Sequence, residues 1–167
     1  MAKPTTSSTD NGSTPATVAL HRHGVDFVLH PYHHEGGTVS FGDEAAAALG
    51  VAPQRLLKTL VAAVESRWAV ALVPVAGQLD LKALASAVGA KRAELADPAD
   101  AERVTGYVRG GISPFGQRRQ LRTVVDASAL EHSTVYVSAG RRGLQVELTP
   151  ADLVRVTQAA VVAISRR

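Results

Sequence analysis

Polar and apolar residues change rhythm several times along this chain, and each change predicts an element. Between Val25 and Tyr32 they alternate, with Phe27 and Val28 among them, which predicts a strand. Leu56 to Val64 is apolar apart from Lys58 and Thr59, and a second run extends from Trp68 to Val75. Runs this short, split by the polar turn Glu65-Ser66-Arg67, predict a β-hairpin in a covered sheet. Further strands are expected at 121–126, 134–138 and 144–148, with a short one at 161–164. Gly140-Arg141-Arg142-Gly143 is the turn between two of them.

Helix signals fall between these runs. Thr14-Pro15 and Thr149-Pro150 each place a capping residue before a proline at the first helical position. They open helices that end at Gly24 and near Ala160. The first should bury Val18, Leu20 and the stem of His21. Phe41 to Leu49 is alanine-rich, and Asp43 and Glu44 sit where the helix dipole favours acids; Gly50 stops it. Asp80 caps a helix that Gly89 ends, and Asp97-Pro98 starts another that stops near Gly106. Interleaved helices, strands and hairpins predict an α/β (α+β) fold with a mixed sheet, not a doubly wound one. Residues 1–14 are Ser/Thr-rich and are expected to form a disordered leader before a single domain, 15–167.

Composition narrows the picture. Apolar residues make up 46% of the 167 but aromatics only 4%, so the core must be mostly Ala, Val and Leu. There is no cysteine, which removes disulfides, a thiolate nucleophile and thiolate metal ligands, and fits a cytoplasmic protein. No apolar run reaches the roughly 18 residues of a membrane span. The start of the chain lacks a signal-peptide pattern. A net charge of +3 tolerates a polyanionic partner without demanding one. Neither a membrane nor a DNA partner is expected.

Candidate chemistry centres on two stretches. Gly110-Gly111-Ile112-Ser113-Pro114-Phe115-Gly116 cannot form a regular element; it reads as a rigid loop that exposes backbone N–H groups and one hydroxyl. Such a loop can hold an acyl carbonyl or a phosphate oxygen. Lys58 interrupts a greasy strand, where an ammonium needs either an anionic partner or a route to water. His30, His33 and His34 lie near Asp43 and Glu44 but match no metal signature, so no metal is expected. Ser113 is followed by Pro114, which excludes a nucleophile elbow and leaves its hydroxyl as a hydrogen-bond donor to substrate. Arg118, Arg119, Arg122, Arg141 and Arg142, with Lys91, Arg92 and Arg109, can contact a phosphate backbone or simply face water. No Walker loop or dinucleotide fingerprint occurs, so no nucleotide cofactor is expected.

Four stretches taken together resemble the YbaK family: Phe41-Gly-Asp-Glu-Ala45, Leu57-Lys-Thr-Leu60, Thr105 to Gly116 and Tyr136 to Leu144. The likeness covers about Ala16 to Ile164. The family comprises bacterial Cys-tRNA(Pro) deacylases related to the editing domain of prolyl-tRNA synthetase. The resemblance implies a barrel-like mixed sheet wrapped by helices, and hydrolysis of the ester on mischarged tRNA(Pro) without a cofactor. Prolyl-tRNA synthetase is the implied partner. Lys58 matches the family's essential lysine, and Tyr32 and Phe41 match pocket aromatics. Gly110 and Gly111, with Ile112, Ser113 and Pro114, match the loop that receives the acyl group. Gln145 stands where some members carry Asp. Arg118, Arg119, Arg141 and Arg142 are the candidate tRNA contacts. The family mechanism is substrate-assisted: the cysteine thiol attacks its own ester. Two alternatives stay open, a broader deacylase of small residues such as Ala-tRNA(Pro), and a non-catalytic tRNA- or synthetase-binding module.

Overall fold

The computed structural model describes residues 12–36 and 40–167. The expected leader lies outside the described residues as far as residue 11. Chain order runs α1 (Pro15–Arg22), β1 (Val28–Pro31), α2 (Phe41–Leu49), β2 (Leu57–Val64), β3 (Arg67–Pro74), β4 (Gln78–Leu79), α3 (Leu81–Ala87) and β5 (Glu94–Leu95). It continues with α4 (Pro98–Thr105), β6 (Arg122–Asp126), a 3₁₀ turn, β7 (Val135–Arg141), β8 (Leu144–Leu148), α5 (Pro150–Thr157), β9 (Ala160–Val162) and β10 (Ser165–Arg166).

Caps hold the helix starts as their residues suggest. Thr14 Oγ1 accepts from Thr17 N–H (3.1 Å), and its hydroxyl also donates to Ala139 O (2.5 Å), which ties α1 to β7. Asp80, Ser40 and Thr149 cap α3, α2 and α5 through their side chains, whereas Asp97 makes no such bond at α4. The buried side of α1 is Ala16, Thr17 and Leu20; Val18 is 44% exposed and does not join it. The strand expected from Val25 is shorter, because Val25 N–H donates to Leu20 O and closes the helix exit instead.

Five strands form one sheet in the order β5-β2-β3-β6-β9, and three form another in the order β1-β8-β7. The β3–β6 and β6–β9 pairs are parallel and the remaining pairs antiparallel, so the sheet is mixed as expected. Strand alternation splits the five-stranded sheet into two faces. Leu57, Leu72 and Val125 meet Val135, Val137, Leu144, Val146 and Leu148 of the other sheet, with Leu20 of α1 and Leu153 of α5 closing the sides. Ala71, Val73 and Val124 turn the other way, against Leu84 of α3 and Ile164. A parallel bridge from Leu56 to Tyr136, with Tyr136 N–H donating to Arg55 O (2.9 Å), joins the sheets at one corner and gives the barrel-like wrap.

Candidate active site

A cleft opens where one sheet edge is left unpaired. β5 covers β2 only at Ala62 and Ala63, and Ala96 N–H donates to Val61 O beside them (2.9 Å). At the other end stands the Leu56–Tyr136 bridge. Between these closures Leu57–Leu60 have β3 on one side and, among the described residues, no strand on the other. Alternate strand residues turn their main-chain groups to the same side. Thr59 therefore directs its N–H and C=O to the open edge, as Val61 does. A cleft of about 400 Å³ fills the gap, within the range of small-ligand sites.

Several distant segments converge there. β2 contributes Lys58 and Thr59, the start of α2 gives Ser40 and Phe41, and the glycine loop gives Arg109, Gly110 and Ile112. Ser138 of β7 and Gln145 of β8, paired across the hairpin, form part of the wall. Lys58 is half-buried and enters none of the ion pairs among the described residues. Its ammonium is thus available to an anionic ligand.

The glycine loop is held against two neighbours. Gly110 has φ +84°, and a Cβ there would lie 2.6 Å from the Phe41 ring. Arg142 holds that ring from outside: its guanidinium carbon lies 5.0 Å from the ring centroid, and its Nε–H donates to Arg109 O (2.7 Å). A Cβ on Gly111 would meet Arg141 Cα at 2.7 Å, so the loop needs a bare backbone to pack on the β7–β8 turn. Gly111 N–H donates to Val108 O (2.9 Å) and is spent inside the turn. Gly110 N–H has no acceptor among the described residues, so of the two glycines it is the one that keeps a free donor. Tyr107 hydroxyl donates to Phe115 O (2.5 Å) and closes the loop; burial pushes this phenol far above its ordinary pKa.

Other expected site residues lie away from the cleft wall. Ser113 is fully buried, its Oγ accepts from Phe115 N–H (3.2 Å), and it is not among the residues that line the cleft. Pro114 faces a smaller hollow of about 170 Å³ beside Ala19 and His23. Tyr32 packs behind the cleft with Leu56 and Tyr136, and its N–H donates to Gly143 O (2.9 Å). Arg118, Arg119 and Arg142 are exposed and Arg141 half-buried; none of the four lines the cleft.

Polar atoms at the site divide into satisfied and orphaned. Glu147 Oε1 lies 2.9 Å from His30 Nε2, and Glu147 Oε2 accepts from Thr134 Oγ1 (2.5 Å) with Arg55 at 3.6 Å. Burial opposes ionisation of Glu147, but the Thr134 and His30 hydrogen bonds outweigh it and hold the carboxyl below its ordinary pKa. Burial first, then the Glu147 charge, pushes the Tyr136 phenol up. His34 and His33, the other two histidines weighed as metal ligands, also sit by carboxylates, His34 Nδ1 at 2.7 Å from Glu44 and His33 at 3.5 Å from Glu35. Among the described residues no three such donors gather as a metal set. By contrast, the side-chain oxygens Thr59 Oγ1 and Gln145 Oε1 are buried with no partner among the described residues, and both residues line the cleft.

Sequence reasoning missed Thr59, Ser138 and Ser40. For Ser138 the signal was present: a turn at 140–143 sets residue 138 opposite 145, and Ser138 does pair with Gln145.

Comparison with known proteins identifies the family. A family model described as "Aminoacyl-tRNA editing domain" matches residues 37–156. An Enterococcus faecalis protein, provisionally named Cys-tRNA(Pro)/Cys-tRNA(Cys) deacylase EbsC, is 40% identical over 116 residues, 69% of this chain and 71% of that one. The Escherichia coli multifunctional Ser/Thr-tRNA deacylase ProXp-y is 30% identical over 144 residues, 86% of each chain. A crystal structure provisionally described as a trans-editing enzyme for prolyl-tRNA synthetase superposes with a TM-score of 0.80 at 26% identity, covering 93% of this chain and 99% of that one. With its matched region spanning the cleft and both sheets, the chain belongs to the aminoacyl-tRNA editing domain family.

Proposed function

We propose that this chain removes cysteine wrongly esterified to tRNA(Pro). The reaction class follows from the family: an aminoacyl-tRNA deacylase cuts the ester between the amino acid and the terminal ribose. The observation that carries the reading is the meeting of Lys58 and Gly110 in one cleft, although 52 residues separate them in the sequence. In this reading Lys58 holds the terminal adenosine through its phosphate. Gly110 N–H orients the ester carbonyl and stabilises the negative charge that grows on its oxygen. The cysteine thiol attacks that carbonyl. A C–S bond forms, the C–O bond to ribose breaks, and the thiol proton passes to the ribose oxygen. Water then opens the thiolactone. Positioning and electrostatics of this kind lower a barrier by roughly several kcal/mol without a protein nucleophile.

Arg109 at the cleft rim, with Arg118, Arg119 and Arg141, is suited to the tRNA backbone. Prolyl-tRNA synthetase is the partner that would supply tRNA(Pro). A second reading, a broader deacylase of small residues, draws on Gln145 and on the E. coli relative named for serine and threonine.

Purified protein should release cysteine from Cys-tRNA(Pro) over many turnovers. Lys58→Ala should lower kcat/KM by about 100-fold or more. Full activity in that variant overturns the role of Lys58. Stoichiometric binding without turnover leaves only a tRNA-binding module. Faster release from Ala-tRNA(Pro) than from Cys-tRNA(Pro) selects the broader enzyme.

A further inference from the structure

The buried wall of the cleft carries an acceptor with nothing to accept. Gln145 is 5% exposed, lines the cleft, and leaves Oε1 without a hydrogen bond among the described residues. Leaving such an atom dry and unpaired costs stability, and the cost is recovered when a donor arrives. The neighbouring groups do not supply one. Glu147, on the same face of β8, is occupied by His30 and Thr134. Ser138, opposite Gln145 in β7, accepts from Gly140 N–H (3.2 Å) and makes no hydrogen bond to Gln145 Oε1. Among the described residues no donor reaches it, and a ligand in the cleft can bring one.

The cleft has a wet end and a dry end. Arg109 and Ser40 are exposed, whereas Gln145, Ser138, Leu56 and Leu57 are buried. A polyanionic nucleic acid end fits the wet, cationic rim, which leaves the acyl group for the dry end. The one strong donor that an aminoacyl group brings, whatever its side chain, is its α-ammonium. A charged donor also gains most from an acceptor shielded from water. We propose that Gln145 Oε1 accepts a hydrogen bond from the substrate α-ammonium and makes a free α-amino group a condition of binding. This deepens the reading of the cleft as the aminoacyl ester site and rests on it. It also explains how an amide serves here: the ammonium needs an acceptor, not a counter-charge.

The test uses two uncleavable probes, adenosine carrying cysteine or 3-mercaptopropionate in amide linkage at the 3′ position. They differ by the amino group alone, so bulk does not confuse the result. The intact protein should bind the cysteinyl probe about tenfold or more tightly, the size of one charge-assisted hydrogen bond. Gln145→Leu should erase that preference, and Gln145→Glu, which keeps the shape and adds charge, should widen it. Equal affinity of the intact protein for both probes overturns the proposal, as does an unchanged preference in both variants. Turnover of Cys-tRNA(Pro) is measured in parallel. Absence of turnover with the probe preference intact refutes hydrolysis and leaves the ammonium contact standing; turnover without preference does the reverse.

Discussion

Gly110 and Gly111 are adjacent but resist substitution for different reasons. A methyl group on Gly110 meets the Phe41 ring and is strained at φ +84°; on Gly111 it meets the main chain of Arg141, which cannot step aside. Gly111→Ala should therefore cost about 1–3 kcal/mol of stability, the range for overpacking, seen as a lower melting temperature. Gly110→Ala should cost about 1–3 kcal/mol as backbone strain, and should also lower kcat/KM beyond what its melting temperature accounts for. Equal losses of activity in the two variants, measured well below melting, would contradict this division. Lys58 and the glycine loop were legible because charge in an apolar run and clustered glycines are anomalies that need a cause. The orientation of the Ser113 hydroxyl was not legible, because a glycine-proline loop has the same composition whichever way that hydroxyl turns. Its burial against Phe115 N–H is a tertiary fact.

At the scale of elements, three loops lock together over the cleft. Arg142 in the β7–β8 turn donates to Arg109 O in the glycine loop and stacks on Phe41 at the start of α2. This guanidinium is engaged with protein, unlike a free phosphate contact. Arg142→Ala should lower kcat/KM by about tenfold while leaving the salt dependence of tRNA binding unchanged; loss of a phosphate contact would reduce that slope by about one. Arg142→Lys should behave like the alanine variant, since an ammonium lacks the planar face and the Nε–H. Helix caps and the β2–β3 hairpin were readable because their signals are local. The two-residue strands β4, β5 and β10 were not. Their pairing partners are distant in sequence, and two residues carry no periodicity.

Across the whole molecule, the corner between the sheets is pinned by Glu147, which collects His30 from β1, Thr134 ahead of β7 and Arg55 ahead of β2. Its folded-state pKa is depressed, so its contribution is complete above the ordinary glutamate range and is lost as pH falls through the folded value. Thermal melts from about pH 7 to pH 3 should show a steeper fall for the native protein than for Glu147→Gln; identical slopes would remove Glu147 from the account. Among the described residues the same architecture leaves a length of β2 without a strand on one side, and exposed strand borders invite other chains to pair with them. Lysine on such a border is a deterrent to stacking. Lys58 is thus placed to guard against self-association, besides the ligand contact proposed for it. A culture expressing Lys58→Ala should yield more aggregate, and light scattering beside the activity assay will tell a silenced catalyst from a clumped one.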